Sequence, residues 1–199
     1  MDKQALFDVT YGLFVLMARE GEKDNGCIIN TVMQVTELPF QMTIAVNKEN
    51  YTHDMIHRTK EFNLSILDQT TPFKTFEQFG YQSGKEIDKL AGVSIKRSDN
   101  QIAYLTDHSC AYISCKVTQE IDLGTHTLFI ATITEATKLS SVEAVSYTYY
   151  QTNIKPKPES TEKKGWRCVI CGYIYEGDEL PPDYVCPICK HGVSDFEKL

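Results

Sequence analysis

Four cysteines close to the C-terminus constrain this chain more than any other feature. They stand in two pairs, Cys168-x-x-Cys171-Gly172 and Cys186-Pro187-x-Cys189, with fourteen residues between the pairs. Two such pairs bring four thiolates around one tetrahedral ion, and an all-sulfur site commonly takes only iron or zinc. Spacing alone leaves zinc open, because structural zinc sites share it. The surroundings favour iron. A redox site needs a dry, polarisable wall and backbone N–H groups aimed at the sulfurs, since these set its potential. Trp166, Tyr173, Tyr175, Tyr184 and Phe196 supply such a wall, Gly172 lets the backbone turn back over Cys171, and Pro187 stiffens the second pair.

The string Trp166-Arg-Cys-Val-Ile-Cys-Gly-Tyr173-Ile-Tyr175-Glu-Gly is followed by Leu180-Pro-Pro-Asp-Tyr184-Val-Cys-Pro-Ile-Cys and Gly192-Val-Ser-Asp-Phe196. Together these segments resemble rubredoxin, the one-iron electron carrier. The resemblance covers residues 165–199 almost without a gap and implies a single iron held by Cys168, Cys171, Cys186 and Cys189. Two departures bear on the potential rather than the metal. The segment between the pairs is shorter than in free-standing rubredoxins, and Lys190 stands where glycine is usual, with Gly192 two positions on.

The remainder of the chain is long enough for a core of its own: 199 residues, 42% of them hydrophobic, predict one or two domains. A net charge of −7 argues against nucleic acid or an anionic membrane as partner. No stretch is long and apolar enough to span a bilayer, and the N-terminus lacks a basic, apolar signal pattern. Cys27, Cys110 and Cys115 form no evident disulfide framework and read as buried thiols, which fits a cytoplasmic, reducing compartment.

Residues 153–164 are polar, charged and twice broken by proline, so they read as a semi-extended linker. The predicted organisation is therefore a domain over 1–152, a linker over 153–164 and the cysteine module over 165–199. Within the first domain, residues 12–17, 27–35, 42–46, 62–67, 111–121 and 127–136 are rich in Val, Ile, Thr and aromatics and predict strands. Helical spacing predicts short helices over 3–7, 52–61 and 71–79. Many strands with few helices and few crossovers predict a mainly β, closed barrel. No G-x-G-x-x-G follows a strand, which removes a Rossmann nucleotide site.

Several segments carry a second resemblance. Residues 26–39 read Gly-Cys-Ile-Ile-Asn30-Thr31-Val32-Met33-Gln34-Val-Thr-Glu-Leu-Pro, and residues 44–56 include Asn47-Lys48-Glu-Asn50-Tyr51-Thr52-His53-Asp54. With Glu61-Phe-Asn-Leu-Ser-Ile-Leu67, Ser83-Gly84-Lys85, Gly124-Thr-His126 and Ser146-Tyr147-Thr-Tyr149-Tyr150, these resemble the flavin reductase-like FMN-binding split barrels. Joined to a C-terminal rubredoxin, the arrangement resembles the high-molecular-weight rubredoxins, NADH-oxidising carriers with two cofactors. The resemblance implies a homodimer with its flavin sites at the subunit interface.

It also implies where FMN lies. The isoalloxazine needs main-chain donors and acceptors along one edge, and a strand edge over Asn30, Thr31, Val32, Met33 and Gln34 can supply them. Asn47 and Lys48 close the next strand, and Asn50, Tyr51, Thr52 and His53 open the following helix; the Lys48 cation and the helix's first N–H groups suit the FMN phosphate, which is expected near Lys48 and Thr52. Without the resemblance, Asn50 and Thr52 would read simply as helix caps. In the family a Gly-Asp-His turn brings a histidine to the flavin face. His126 takes that place as the candidate catalytic residue toward nicotinamide, but Thr125 replaces the aspartate that would orient it. Tyr147, Tyr149 and Tyr150 could line the same pocket from a C-terminal strand. His53-Asp-Met-Ile-His57 has the spacing of zinc-protease ligands, yet Asp54 stands in place of the glutamate base and no third ligand follows.

The function these readings imply is an NAD(P)H-dependent reductase in which electrons pass from NAD(P)H through FMN to the rubredoxin iron, then to a partner such as a flavodiiron protein. Such chemistry requires no acid–base pair, and the sequence offers none. Two rivals remain: a carrier that relays electrons between proteins without reacting with nicotinamide, and an FMN-binding domain bearing a structural zinc ribbon.

Overall fold

The computed structural model describes residues 5, 8–156, 165–170, 172–187 and 191–199. The chain divides into two compact units, Met1–Lys155 and Pro156–Leu199. The helix predicted over 3–7 lies outside the described residues except for Ala5, as does most of the predicted linker.

The first unit is built on strands β1 (Phe14–Glu20), β2 (Lys23–Ile29), β3 (Val32–Glu37), β4 (Phe40–Asn47), β5 (Glu61–Leu67), β6 (Ile95–Arg97), β7 (Ala103–Leu105), β8 (Ser109–Asp122) and β9 (His126–Lys138). Seven of them form one antiparallel sheet in the order β2-β1-β5-β8-β9-β4-β3. Irregularities at Ser114/Cys115 and Val117/Gln119 bend the long β8–β9 ribbon, since a bulge adds a residue to one strand and sharpens its twist. The two end strands, β2 and β3, are not hydrogen-bonded to each other, so the barrel is split rather than closed. The split falls at Asn30 and Thr31, within the run expected to be a single strand over 27–35. There Thr31 turns to β4 instead: its carbonyl accepts the Ala45 N–H at 3.2 Å, and its hydroxyl donates to the Ala45 carbonyl at 2.7 Å.

Both sides of the sheet are covered. One core gathers Leu16, Ala18, Ile44, Val46, Met55, Ile56, Phe62, Leu64 and Phe129. The other gathers Val15, Met17, Leu67, Phe76, Phe79 and Leu105. Neighbours in β1 thus enter opposite cores, which explains why that strand reads as an unbroken apolar run without alternation. Helix α1 (Tyr51–Thr59) caps the first core, starting at Asn50, whose side chain accepts the Thr52 N–H, and ending at Lys60 in the left-handed region. Helix α2 (Phe73–Gly80) buries Phe76 and Phe79 in the second. The β6–β7 hairpin was not evident from sequence. It is held by polar side chains: Asn63 donates to Ser98 Oγ at 2.7 Å and to the Ile102 carbonyl at 2.8 Å. The tyrosine segment expected to be a strand is instead helical: Tyr147–Tyr149 runs into a π-helical turn, Tyr150–Ile154.

The second unit contains β10 (Trp166–Cys168), β11 (Ile174–Tyr175) and β12 (Phe196–Lys198), ordered β11-β10-β12. Cys168, Cys186 and Phe196 form its centre, with Trp166, Tyr173, Tyr175 and Tyr184 packed around them. Aromatic side chains bury large areas per residue, which is how so few residues make a core.

Candidate cofactor sites

The first turn of α1 is the most polar buried corner of the first unit. Asn25, on β2, is buried and donates to the Thr52 hydroxyl at 2.8 Å. Asn50 Oδ1 accepts the Thr52 N–H at 3.0 Å. The Cys27 thiol sits beneath them; burial pushes it up, against hydrogen bonds from Thr52 and Asn50 and the charge of Lys89. Two ammonium groups stand over the Tyr51 ring, Lys23 at 4.7 Å and Lys85 at 5.8 Å from its centroid. At Gly84 a Cβ would lie 1.8 Å from Asn25 Oδ1 and would force the Asn25 side chain to shift. A cleft of about 530 Å³ opens beside this corner, lined by Lys23, Lys85 and Arg97 and also by the carboxylates of Glu22, Asp24, Glu86 and Asp88. Neither Lys23 nor Lys85 was assigned a role from sequence. Lys85 carried a signal, the Ser83-Gly84-Lys85 motif; Lys23 carried none.

Asn47 and Lys48 lie at the same end of the sheet, engaged in its turns. Asn47 Oδ1 accepts the Glu49 N–H at 2.9 Å. Lys48 Nζ donates to Asp122 at 2.6 Å, while its backbone N–H donates to the Thr125 carbonyl at 3.0 Å. These bonds pin the β8–β9 turn to β4 and place His126 opposite Asn47 in the ladder. In place of the family's aspartate, the Thr125 hydroxyl lies 2.9 Å from His126 Nδ1. A hydroxyl can give or take a proton with imidazole but brings no charge.

His53 is tied into the interior, with Nε2 2.8 Å from Thr127 Oγ1 and Nδ1 3.1 Å from Asp54. His57 is exposed and bonds Glu120 at 2.8 Å. Burial raises the Glu120 carboxyl, but Lys60 and His57 outweigh it and hold it below the usual range. The two rings stack parallel with centroids 6.2 Å apart. Both His53 nitrogens are already engaged, so the pair does not converge on a metal.

Val32, Met33 and Gln34 lie on β3, an end strand of the sheet that pairs with β4 along one edge. Its neighbourhood is apolar and open: Met33 is 62% exposed, Phe40 54% and Leu38 95%.

In the second unit Cys168 and Cys186 are fully buried. Cys171 and Cys189 lie outside the described residues. The Cys168 N–H donates to the Tyr173 carbonyl at 2.8 Å, and the Gly172 N–H returns to the Cys168 carbonyl at 2.8 Å. Gly172 takes a φ of 79°, which an L side chain disfavours. The second pair is closed likewise, Cys186 N–H to the His191 carbonyl at 2.8 Å. Tyr175 and Phe196 flank Tyr184 at 4.6 and 5.5 Å between centroids. Two buried thiols on tight turns, walled by aromatics, fit a thiolate-held metal ion.

A split antiparallel barrel followed by a small cysteine-centred unit defines a flavin reductase-like protein with a rubredoxin-like appendage. Residues 6–157 match the model of the flavin reductase like domain, and residues 166–197 that of the rubrerythrin, rubredoxin-like domain. The chain belongs to the flavin reductase-like family and has the two-domain arrangement of the high-molecular-weight rubredoxins. It is 36% identical to the high molecular weight rubredoxin of Moorella thermoacetica, covering 100% of both chains. It is 34% identical to the ferric-chelate reductase (NAD(P)H) of Archaeoglobus fulgidus, over 81% of this chain and 95% of that one. Among solved structures, the NADH:FAD oxidoreductase SgcE6 of Streptomyces globisporus C-1027 shares the fold with a TM-score of 0.65 at 19% identity, over 72% of this chain and 85% of the other.

Proposed function

We propose that the protein is an NAD(P)H-dependent oxidoreductase that carries electrons from the nicotinamide through FMN to the iron of its own rubredoxin-like unit, and from there to an acceptor protein of the flavodiiron class. The observation that carries this reading is the joining, in one chain, of a flavin reductase-like unit and a buried-cysteine unit, an arrangement matched end to end by a high molecular weight rubredoxin. FMN supplies the conversion of a two-electron donor into single-electron steps, and an iron in four thiolates accepts one electron at a time.

The chain's own residues do the positioning. Asn50, Tyr51 and Thr52 present the first turn of α1, whose partial positive charge suits a phosphate; Asn50 holds the Thr52 and His53 N–H groups there. Lys23 and Lys85 supply mobile countercharge there, because Lys48 is committed to Asp122. The segment from Asn30 to Gln34 runs along the split of the barrel and offers main-chain groups to the flavin ring. His126, held by Thr125, faces the nicotinamide. Cys168, Cys171, Cys186 and Cys189 hold the iron. The apolar open edge around Met33, Leu38 and Phe40 is covered by a second copy, since an uncovered apolar edge strand favours association.

Anaerobic titration of the purified protein with NADH and then NADPH, followed across the visible spectrum, tests the reading. Bleaching of the flavin and ferric bands by either nucleotide is expected. A protein whose bands respond to dithionite but to neither nucleotide is a carrier between proteins, and a colourless second unit means zinc.

A further inference from the structure

A closed circuit of contacts joins the start of α1 to the strand that carries His126. The Asn47 carbonyl accepts the Asn50 N–H at 3.0 Å, and the Asn50 carbonyl accepts the His53 N–H at 2.9 Å. His53 Nε2 in turn lies 2.8 Å from Thr127 Oγ1. Thr127 follows His126 in β9, and His126 stands opposite Asn47 in the β4–β9 ladder, which closes the circuit. Every link in it is main chain except the one between His53 and Thr127.

Both members of that link are buried. The Asp54 carboxylate, 3.1 Å from His53 Nδ1, can only accept, so Nδ1 carries a hydrogen. Nε2 of the neutral ring therefore accepts from the Thr127 hydroxyl, and the two neighbours together set the tautomer. The ring also packs against Phe129, with centroids 5.6 Å apart. Among the described residues His53 is the one α1 side chain hydrogen-bonded to β9; Thr52 reaches β2, His57 reaches β8 and Arg58 reaches β1. The β8–β9 turn is thus held at two points, at its tip by Lys48 with Asp122 and at its base by His53. A buried polar atom left without its partner is costly, so removing either member of the link loosens α1 from β9.

We infer that His53 is a positioning residue for reduction of the flavin by nicotinamide: through Thr127 it fixes the flavin seat on α1 relative to His126. The inference rests on the two roles proposed above, α1 for the flavin and His126 for the nicotinamide. His53 acts at one remove from both, because its nitrogens are engaged by Asp54 and Thr127. Donor and acceptor react only when held close and aligned, and a misplacement of about 1 Å can cost roughly a hundredfold in rate. A link that keeps α1 and β9 in register therefore bears on the rate rather than on the binding of either cofactor.

The test uses the full chain loaded with FMN and iron. Anaerobic stopped-flow mixing over a range of NADH or NADPH concentrations separates the limiting rate of flavin bleaching from the half-saturating nucleotide concentration. Thr127→Val removes the hydroxyl with little change of shape, His53→Phe keeps a ring without nitrogens, and Thr127→Ser keeps the hydroxyl. In Thr127→Val and His53→Phe the limiting rate should fall about tenfold or more, while half-saturation and reduction by dithionite stay unchanged. Thr127→Ser should restore the rate. The double variant His53→Phe/Thr127→Val should be no slower than either single one, because both remove the same link. If His53→Phe fails to fold, the Val and Ser variants at 127 decide. A wild-type limiting rate in Thr127→Val, with a lower melting temperature as its one change, would overturn the inference and leave His53 a structural clamp. Losses that multiply in the double variant would overturn it too, since they mean two independent contributions. His126→Ala separates this from the reading beneath it. A wild-type rate in His126→Ala removes the role of His126 and the inference with it, whereas a slow His126→Ala beside a wild-type rate in Thr127→Val sinks the inference alone.

Discussion

Lys48 and Asp122, 74 positions apart in sequence, are joined Nζ to Oδ1 at 2.6 Å, and the same oxygen accepts the Gly124 N–H at 2.7 Å. One carboxylate thus closes the β8–β9 turn and ties it to the end of β4. Gly124 has a φ of 82°, so the turn itself depends on a residue free to take that conformation. The pair decides where His126 stands.

The tie should respond to acid. The Asp122 carboxyl is held below its ordinary value of 3.8 by Lys48 first and the Gly124 N–H second. A depressed carboxyl adds stability that is present above the unfolded value and lost as pH falls through the folded one. The protection factor of the Gly124 amide, its exchange relative to an unstructured peptide at the same pH, should therefore be high at neutral pH and be lost only as pH falls below the ordinary aspartate value. In Asp122→Ala, which removes the accepting oxygen, the low protection factor should already be present at neutral pH. Because Asp122 is largely exposed and Lys48 about a third exposed, global stability should hardly change.

Thr125 should matter through its hydroxyl. Thr125→Val leaves His126 Nδ1 without its partner at 2.9 Å, and a mixture of imidazole tautomers should replace one form in nitrogen-15 spectra. The rate of flavin reduction by NAD(P)H should fall by roughly tenfold, less than the hundredfold or more that a positioned acid or base itself contributes, because the hydroxyl acts only through His126. Reduction by dithionite should not change. Thr125→Ser should restore both tautomer and rate. Equal rates in all three proteins would mean that His126 takes no part.

Cys186 is fully buried at the centre of the second unit. Replacing it with serine removes one thiolate from a soft, all-sulfur site. The red ferric absorption should disappear from Cys186→Ser while the flavin spectrum remains. Elemental analysis of wild-type protein from iron-replete cells should give one iron per chain, and zinc alone would refute the electron-carrier role.

The cysteine unit was legible in sequence because its chemistry is local: two short pairs and five aromatics lie within one short segment. The long strands were legible because β8 and β9 keep β-rich composition over 14 and 13 residues. The break at Asn30 was hidden, since the run over 27–35 is apolar or β-prone on both sides of it and only the pairing of Thr31 with Ala45 reveals the split. The β6–β7 hairpin was hidden for another reason: three-residue strands have no period to read, and it is fastened by Asn63 and Ser65 from a distant strand. Lys89 lay in a polar stretch that reads as an exposed loop. Its burial is set by two carbonyls, 63 and 10 positions away.

Electron passage from NAD(P)H to iron inside one assembled protein is the central claim. Asn153 and Ile154 of the predicted linker belong to the helical turn of the first unit, which leaves ten residues, 155–164, a length that reaches at most about 36 Å when fully extended. A tether of that reach keeps the two units at high effective concentration. Anaerobic stopped-flow mixing with saturating NADH or NADPH measures the step directly through the ferric band. The account predicts flavin bleaching followed by first-order loss of the ferric band, at a rate independent of protein concentration. A rate that rises in proportion to protein concentration, or a ferric band that persists after the flavin has bleached, would contradict it.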